Sequence, residues 1–386
     1  MNQKNILFAA FILLHLHISS VQAVETKLSG FAQITVGRVI GGSPTTGQGG
    51  TAPYIYSGKP GTSFVCPCFS TNYEYVGVNE YGKTQFEPET LAAIQGDMTF
   101  NSEASATVQA VARTADKSAR IDWAYISYKF TPDLTLQAGH KRMPLYYYSD
   151  FEYVGYAYPW IRPPQDVYGW QIYAYNGANL MHTSNWNRWA VTSNIWAGEG
   201  TDKDNALLGK LYYNNQIEEN WKDMIGGYLE ASNDSVMARV VYMHTTLERF
   251  NVIGGVKSPA LYNGLNNIGQ IFYGYSLNAD YNNFLFRSEA YYNDRPDVQN
   301  YYHGQFYSGG YKFGSHTIML TWSESRERAA FWPTGVEVHQ TNSLSYRWDF
   351  AKSYAFKAQY DEVKDTSGWL FTGNAKLIST SLQTVF

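Results

Sequence analysis

Apolar and polar residues alternate along much of this chain with a period of two, the side-chain period of a β-strand. In the last eleven residues Ile378, Leu382 and Phe386 share one face with Thr380 and Thr384, while Ser379, Ser381 and Gln383 share the other. The same pattern sets Phe284, Phe286 and Ala290 against Arg287 and Glu289, and Tyr354, Phe356, Ala358 and Tyr360 against Lys357, Gln359 and Asp361. It recurs with Ile318, Leu320 and Trp322 against Thr317, Thr321 and Ser323, and with Val236, Ala238, Val240 and Tyr242 against Arg239. Ionised groups on one face suit a solvated lumen and are costly in a dry core. A soluble sandwich alternates too, so periodicity alone does not separate the two.

The connections do separate them. Tight turns at 101–103, 131–133, 233–234, 282–283, 313–315 and 350–352 alternate with long connections at 41–89, 148–168, 199–221, 248–267 and 326–335. Short turns on one rim and long loops on the other are the habit of outer-membrane barrels, and a sandwich has no reason for that rhythm. The expected fold is therefore all-β, a transmembrane antiparallel up-and-down β-barrel with long extracellular loops. About 16 strands are expected, the first at 27–37 and the last at 375–386, and an even count leaves both ends on the periplasmic rim. Strand limits are least clear between 169 and 232, where 206–221 reads as a loop helix, a short hairpin or part of a strand.

The first residues change the compartment. Lys4 precedes an apolar run from Ile6 to Leu16, and Val21-Gln22-Ala23 ends it with small residues. Residues 1–23 read as a secretory signal peptide, and 24–386 as one outer-membrane barrel domain. The run is shorter than the ~20 apolar residues of a spanning helix, and no later run comes near that length, so a membrane-crossing structure has to be a closed barrel. A formal charge of −4 points away from nucleic acid. Aromatic residues make up 17% of the chain while the mean hydropathy is negative, as expected when an apolar outer face is paired with a polar lumen. Cys66 and Cys68 either pair with each other in the oxidising compartment or stay free, and two ligands do not close a zinc site.

In such a barrel the chemistry lies in the charges of the inner wall and in whatever narrows the lumen. The segment Tyr148–Tyr168 is aromatic, stiffened by proline and carries Asp150, Glu152 and Asp166. Its apolar content predicts that it folds inward, against the barrel wall. Opposite it, Arg113 is in phase with Thr107 and Gln109, and Lys141 with Thr135 and Gln137. Arg142 stands beside Lys141, and Arg120, Arg239, Arg287 and Lys357 are further basic candidates. Acid on one side and base on the other would set a transverse field across the narrowest point.

Three stretches resemble the Gram-negative general porins: Leu28–Gln33, the block from Trp123 through His140, Pro144-Leu145 and Gly155–Trp160, and the terminal Phe386. The resemblance implies a 16-stranded barrel, an inward-folded third loop and a homotrimer. It places Asp150, Glu152 and Asp166 on that loop, and Arg113, Lys141 and Arg142 on or near the facing wall. The family's frequent Pro-Glu-Phe-Gly-Gly-Asp run and its dense arginine ladder are missing, and the first loop is longer than usual. The expectation is an outer-membrane porin passing small hydrophilic solutes and ions, with no cofactor and no catalytic step. Its surroundings would be outer-membrane lipid and lipopolysaccharide. A substrate-selective channel for sugars or aromatic solutes is the second reading. An outer-membrane hydrolase, which lacks a Gly-x-Ser-x-Gly elbow here, and an adhesin stand further back.

Overall fold

The computed structural model describes residues 24–43, 66–115, 117–213, 215–261, 264–329, 336–367 and 373–386. The leader expected at 1–23 lies outside them, as do parts of the long connections at 41–89 and 326–335. The wall strands are β1 (Glu25–Ser43), β2 (Leu91–Thr99), β3 (Ala104–Arg113), β4 (Ser118–Thr131), β5 (Leu134–Arg142), β6 (Ala174–Trp186), β7 (Trp189–Asp202) and β8 (Gln216–Ser232). They continue as β9 (Val236–Ile253), β10 (Ile268–Tyr281), β11 (Phe284–Arg295), β12 (Asn300–Phe313), β13 (His316–Ala329), β14 (Val336–Ala351), β15 (Tyr354–Asp365) and β16 (Asn374–Val385).

Each strand pairs antiparallel with its neighbours in the chain, and β1 closes the ring. It pairs with β2 from Glu25 to Gln33 and with β16 from Phe31 to Ser43. Closure leaves no open edge, which is what lets strands cross a bilayer with their backbone groups satisfied. Phe386 extends the seam, donating its N–H to the Gly30 carbonyl at 3.0 Å and accepting the Gly30 N–H at 2.9 Å. Two short pieces, Thr84–Gln85 and Val256–Pro259, pair onto β1 and β9 from the loops. No helix among the described residues is long and apolar enough to cross a membrane.

The period-two reading holds residue by residue. Val240, Tyr242, Phe284, Leu320 and Leu382 point outward and are exposed, while Arg239, Glu289, Lys357, Asp361 and Ser381 point inward and are buried. Near the short turns the outer face carries Phe130, Trp186, Tyr281, Phe313, Phe350 and Phe386, a girdle at the level of one membrane interface. The region left open at 206–221 divides into a helical turn, Leu208–Tyr213, and the start of β8 at Gln216.

The third connection on the long-loop rim, 143–173, turns into the barrel. Three short helical pieces shape it, Ser149–Phe151, Gly155–Ala157 and Gln165–Tyr168. Tyr146, Tyr148, Tyr158, Trp160, Tyr168 and Trp170 form one buried cluster with inward residues of the wall such as Trp196, Trp221, Phe272, Tyr291 and Phe306. A flexible surface loop has no use for so much aromatic area, and burying it is what drives this segment inside.

Part of the first loop also packs inward. Cys66 and Cys68 are joined in a disulfide, and the hairpin Phe69–Asn72 with Gly77–Asn79 follows them. Cys68, Val76 and Val78 pack against Leu207 of the loop between β7 and β8.

Candidate functional site

The inward segment crosses the lumen from β5 to the wall formed by β14, β15 and β16, and its tip is held there by main-chain contacts. Lys357 of β15 is fully buried and donates to the carbonyls of Gly155 at 2.6 Å, Tyr158 at 2.5 Å and Trp160 at 2.5 Å. Arg347 of β14 donates to the carbonyls of Tyr156 and Tyr158 at 2.7 and 2.9 Å. Gly155 lies so close to the seam that a Cβ there would stand 2.6 Å from both Gln33 and Gln383. Any larger residue there would have to displace those two buried glutamine side chains.

A guanidinium from the loop completes the grip. Arg162 donates twice to Glu89, at 2.6 and 2.7 Å, and once each to Asp361 and Ser379 at 2.7 Å. A fork on a carboxylate is among the strongest ion pairs a protein makes. Farther along, Trp160 Nε1 donates to Thr321 at 2.8 Å, Ser323 to Asp166 at 2.6 Å, and the Tyr147 N–H and Tyr168 hydroxyl to Glu289.

At the root of the loop a second cluster forms where β5 ends. Arg142 donates to Glu152 at 2.7 Å and pairs with Asp122 and Glu74 at 3.2 Å. Arg113 pairs with Asp122 at 2.9 Å and stacks over Tyr153 at 4.5 Å. Burial pushes the Glu152 carboxyl up to about 7 despite the pull of Arg142, with Glu74 and Asp122 acting in the same upward direction.

Of the six predicted constriction residues, then, Arg113, Arg142 and Glu152 come together in one buried network. Asp166 is 8% exposed and held by Ser323 on the far wall. Lys141 donates to Gln137 and to Asn179 and lies over the Tyr125 ring at 4.8 Å, with no carboxylate in ion-pair contact among the described residues. Asp150 is exposed, makes no hydrogen bond among the described residues, and lies within electrostatic reach of Arg239, Lys141 and Arg142. Among the three predicted acids, Asp150 is thus the one not bound in a direct contact among the described residues, with Lys141 and Arg239 within electrostatic reach. Of the further basic candidates, Lys357 clamps the loop, Arg239 pairs with Glu230 at 2.7 Å, Arg287 pairs with Asp280, and Arg120 is exposed.

The loop is not uniformly acidic, nor the wall uniformly basic. At the tip the order is inverted, with Arg162 on the loop and Asp361 and Glu89 around it. Sequence reasoning missed Glu74, Glu89, Asp122, Arg162 and Arg347. The one local signal was Arg162 itself, a lone charge in the run Trp160-Ile161-Arg162-Pro163-Pro164 that folding had to neutralise.

Across from the grip, and apart from the Arg113, Asp122 and Arg142 cluster, Lys141 and Asp97, the inner wall from β2 to β7 carries amides and hydroxyls hydrogen-bonded along itself. Gln109 donates to Gln95 at 2.7 Å, Gln137 to Ser127 at 3.3 Å and Asn179 to Asn194 at 2.9 Å. Below the loop, toward the short turns, a cavity of about 250 Å³ lies between Tyr147, Tyr148, Phe151, Tyr158, Asp280 and Arg287.

No family model and no curated protein matches this chain in sequence. Solved structures match it in shape. The outer membrane channel DcaP of Acinetobacter baumannii superposes with a TM-score of 0.58 at 10% identity, covering 94% of this chain and 97% of that one. The trimer form of OmpT, an outer membrane protein of Vibrio cholerae, gives 0.52 at 10% identity over 95% and 100% of the two chains. The anion-selective porin of Comamonas acidovorans gives 0.53 at 9% identity over 94% and 100%. These are similar folds: closed barrels of outer-membrane proteins.

Proposed function

We propose that this protein is an outer-membrane channel through which small hydrophilic solutes and ions diffuse passively. The observation that carries the reading is the pairing of an apolar outer face with an inner wall of amides, hydroxyls and charges, narrowed by a loop that leaves Asp150 exposed opposite Lys141. Such a wall replaces part of a solute's hydration shell, and the field across it favours polar solutes over apolar ones. Folds shared with a named channel and a named porin support the same reading, as does the motif-level resemblance to general porins. A homotrimer is part of it, because one protein of similar fold is recorded in a trimer form. The proposal assigns no cofactor and no catalytic step. Membership in the general-porin family and export through the periplasm belong to the same proposal.

The test is a planar-bilayer recording of the folded protein. Ohmic current in groups of three equal steps is expected, with a small reversal potential in a salt gradient. Well-folded protein that inserts and carries no current would overturn the reading. A substrate-selective channel is the second reading, favoured by the amide wall with Trp123 and Tyr125 beside Lys141. Saturable block of the current by one class of solute would establish it over the first.

A further inference from the structure

A second cavity lies on the other side of the inward segment, toward the long loops, and its volume is about 60 Å³. Four tyrosines line it: Tyr73 from the first loop, Tyr212 from the loop before β8, Tyr291 from β11 and Tyr302 from β12. Between them stand three carboxylates, Asp166, Glu327 and Glu337.

Of these carboxylates Glu337 is the one left only partly satisfied. Asp166 accepts from Ser323 at 2.6 Å, and Glu327 accepts from Asn300 at 2.8 Å. One oxygen of Glu337 bonds His339 at 2.8 Å. Its other oxygen, Oε2, is buried on a side chain 8% exposed and has no hydrogen-bond partner among the described residues. Oε1 of Gln165, which also lines the cavity, is likewise buried without a partner there. Both orphaned atoms are acceptors, and an unpaired buried acceptor is costly. What the cavity lacks is therefore a donor or a positive charge.

The cations nearby do not supply it. Arg326 is forked onto Glu324 at 2.7 and 2.9 Å. Arg295 is held by Gln270 at 2.6 Å and Gln171 at 2.7 Å, over the Tyr302 ring at 5.0 Å. Nε2 of His339 is spent on Oε1 of Glu337 and Arg295 ends on amide oxygens, so neither cation supplies a hydrogen bond to Oε2. The volume holds about four to six water-sized bodies, close to an ammonium group with its attached methyls. Tyrosine faces attract such a group without requiring it to donate a hydrogen bond, whereas a metal ion needs several converging oxygens.

We propose that this cavity binds an organic monocation of the alkylammonium class, held by the Tyr73, Tyr212, Tyr291 and Tyr302 rings and neutralised by Glu337. The proposal stands on the fold and does not require conduction.

It is tested by calorimetric titration of choline chloride into the detergent-folded full chain, with sodium chloride at equal ionic strength as the control. Saturable 1:1 binding is expected with choline and none with sodium. Glu337→Gln should weaken choline binding about 10-fold, and Tyr73→Leu, on a loop outside the barrel wall, about 5-fold. No saturable heat with choline, an equal response to sodium, or binding unchanged in folded Tyr73→Leu would each overturn the proposal. Current without choline binding would sink this site and spare the channel, and binding without current would do the reverse.

Discussion

Lys357 and Lys141 occupy inward positions of the same barrel, and both are more than nine-tenths buried. Lys357 ends on three loop carbonyls, whereas Lys141 ends on two wall amides with the exposed Asp150 within electrostatic reach. The walls around them differ in the same sense. On β14 and β15, Arg347, Lys357 and Asp361 are used to hold the loop, so those charges are structural. Away from the Arg113, Asp122 and Arg142 cluster, β2 to β7 present amides, Asp97 and the Lys141 ammonium, which has no carboxylate in ion-pair contact among the described residues. An inward charge thus works on solutes only where the loop does not cover it.

That contrast is broken most directly at Arg162. Arg162→Ala leaves Glu89 and Asp361 buried without their partner, which should lower unfolding free energy in detergent by about 3–5 kcal/mol. It should also raise single-channel conductance as the tip comes free. Stability and current both at the parent level would mean that this wall does not hold the loop.

Lys357→Met keeps the bulk and removes the donor from three carbonyls, for an expected loss of about 1–3 kcal/mol with the same rise in current. Gly155→Val should destabilise by about 1–3 kcal/mol, because the added atoms collide with Gln33 and Gln383. Denaturant titration checks both.

On the other wall, stability should hardly move while selectivity does. Lys141→Met is expected to change stability by less than about 1 kcal/mol, because the amides around it can bond each other. Its reversal potential in a salt gradient should shift toward cations. Asp150→Asn should have the smallest effect on folding, within about 0.5 kcal/mol, and shift the reversal potential toward anions. A loss of stability from Lys141→Met matching that from Lys357→Met would erase the distinction between the walls.

Much of this architecture was legible beforehand. Period-two alternation separated Arg239, Glu289, Lys357 and Asp361 from the lipid-facing residues, because a pleated strand gives each side chain only two directions. Counting the alternating segments supplied the strand count, the lack of a run long enough for a spanning helix supplied the closure, and the aromatic content of 148–168 was enough to send that segment inward. Strand limits between 169 and 232 and the pairing of Cys66 with Cys68 stayed open, the former most of all at 206–221, where a helical turn interrupts the strand rhythm.

What the alternation could not carry was what stands in front of each inward side chain. Asp361 and Arg162 are 199 residues apart, and Trp160 and Lys357 are 197 apart. Nothing local marks either pair. By itself the sequence determined a barrel, its two faces and an inward loop, since each follows from local periodicity or composition. Which charges grip that loop and which are left to the lumen was decided only by the tertiary path of residues 143–173, because a charge's role depends on the partner that desolvates it.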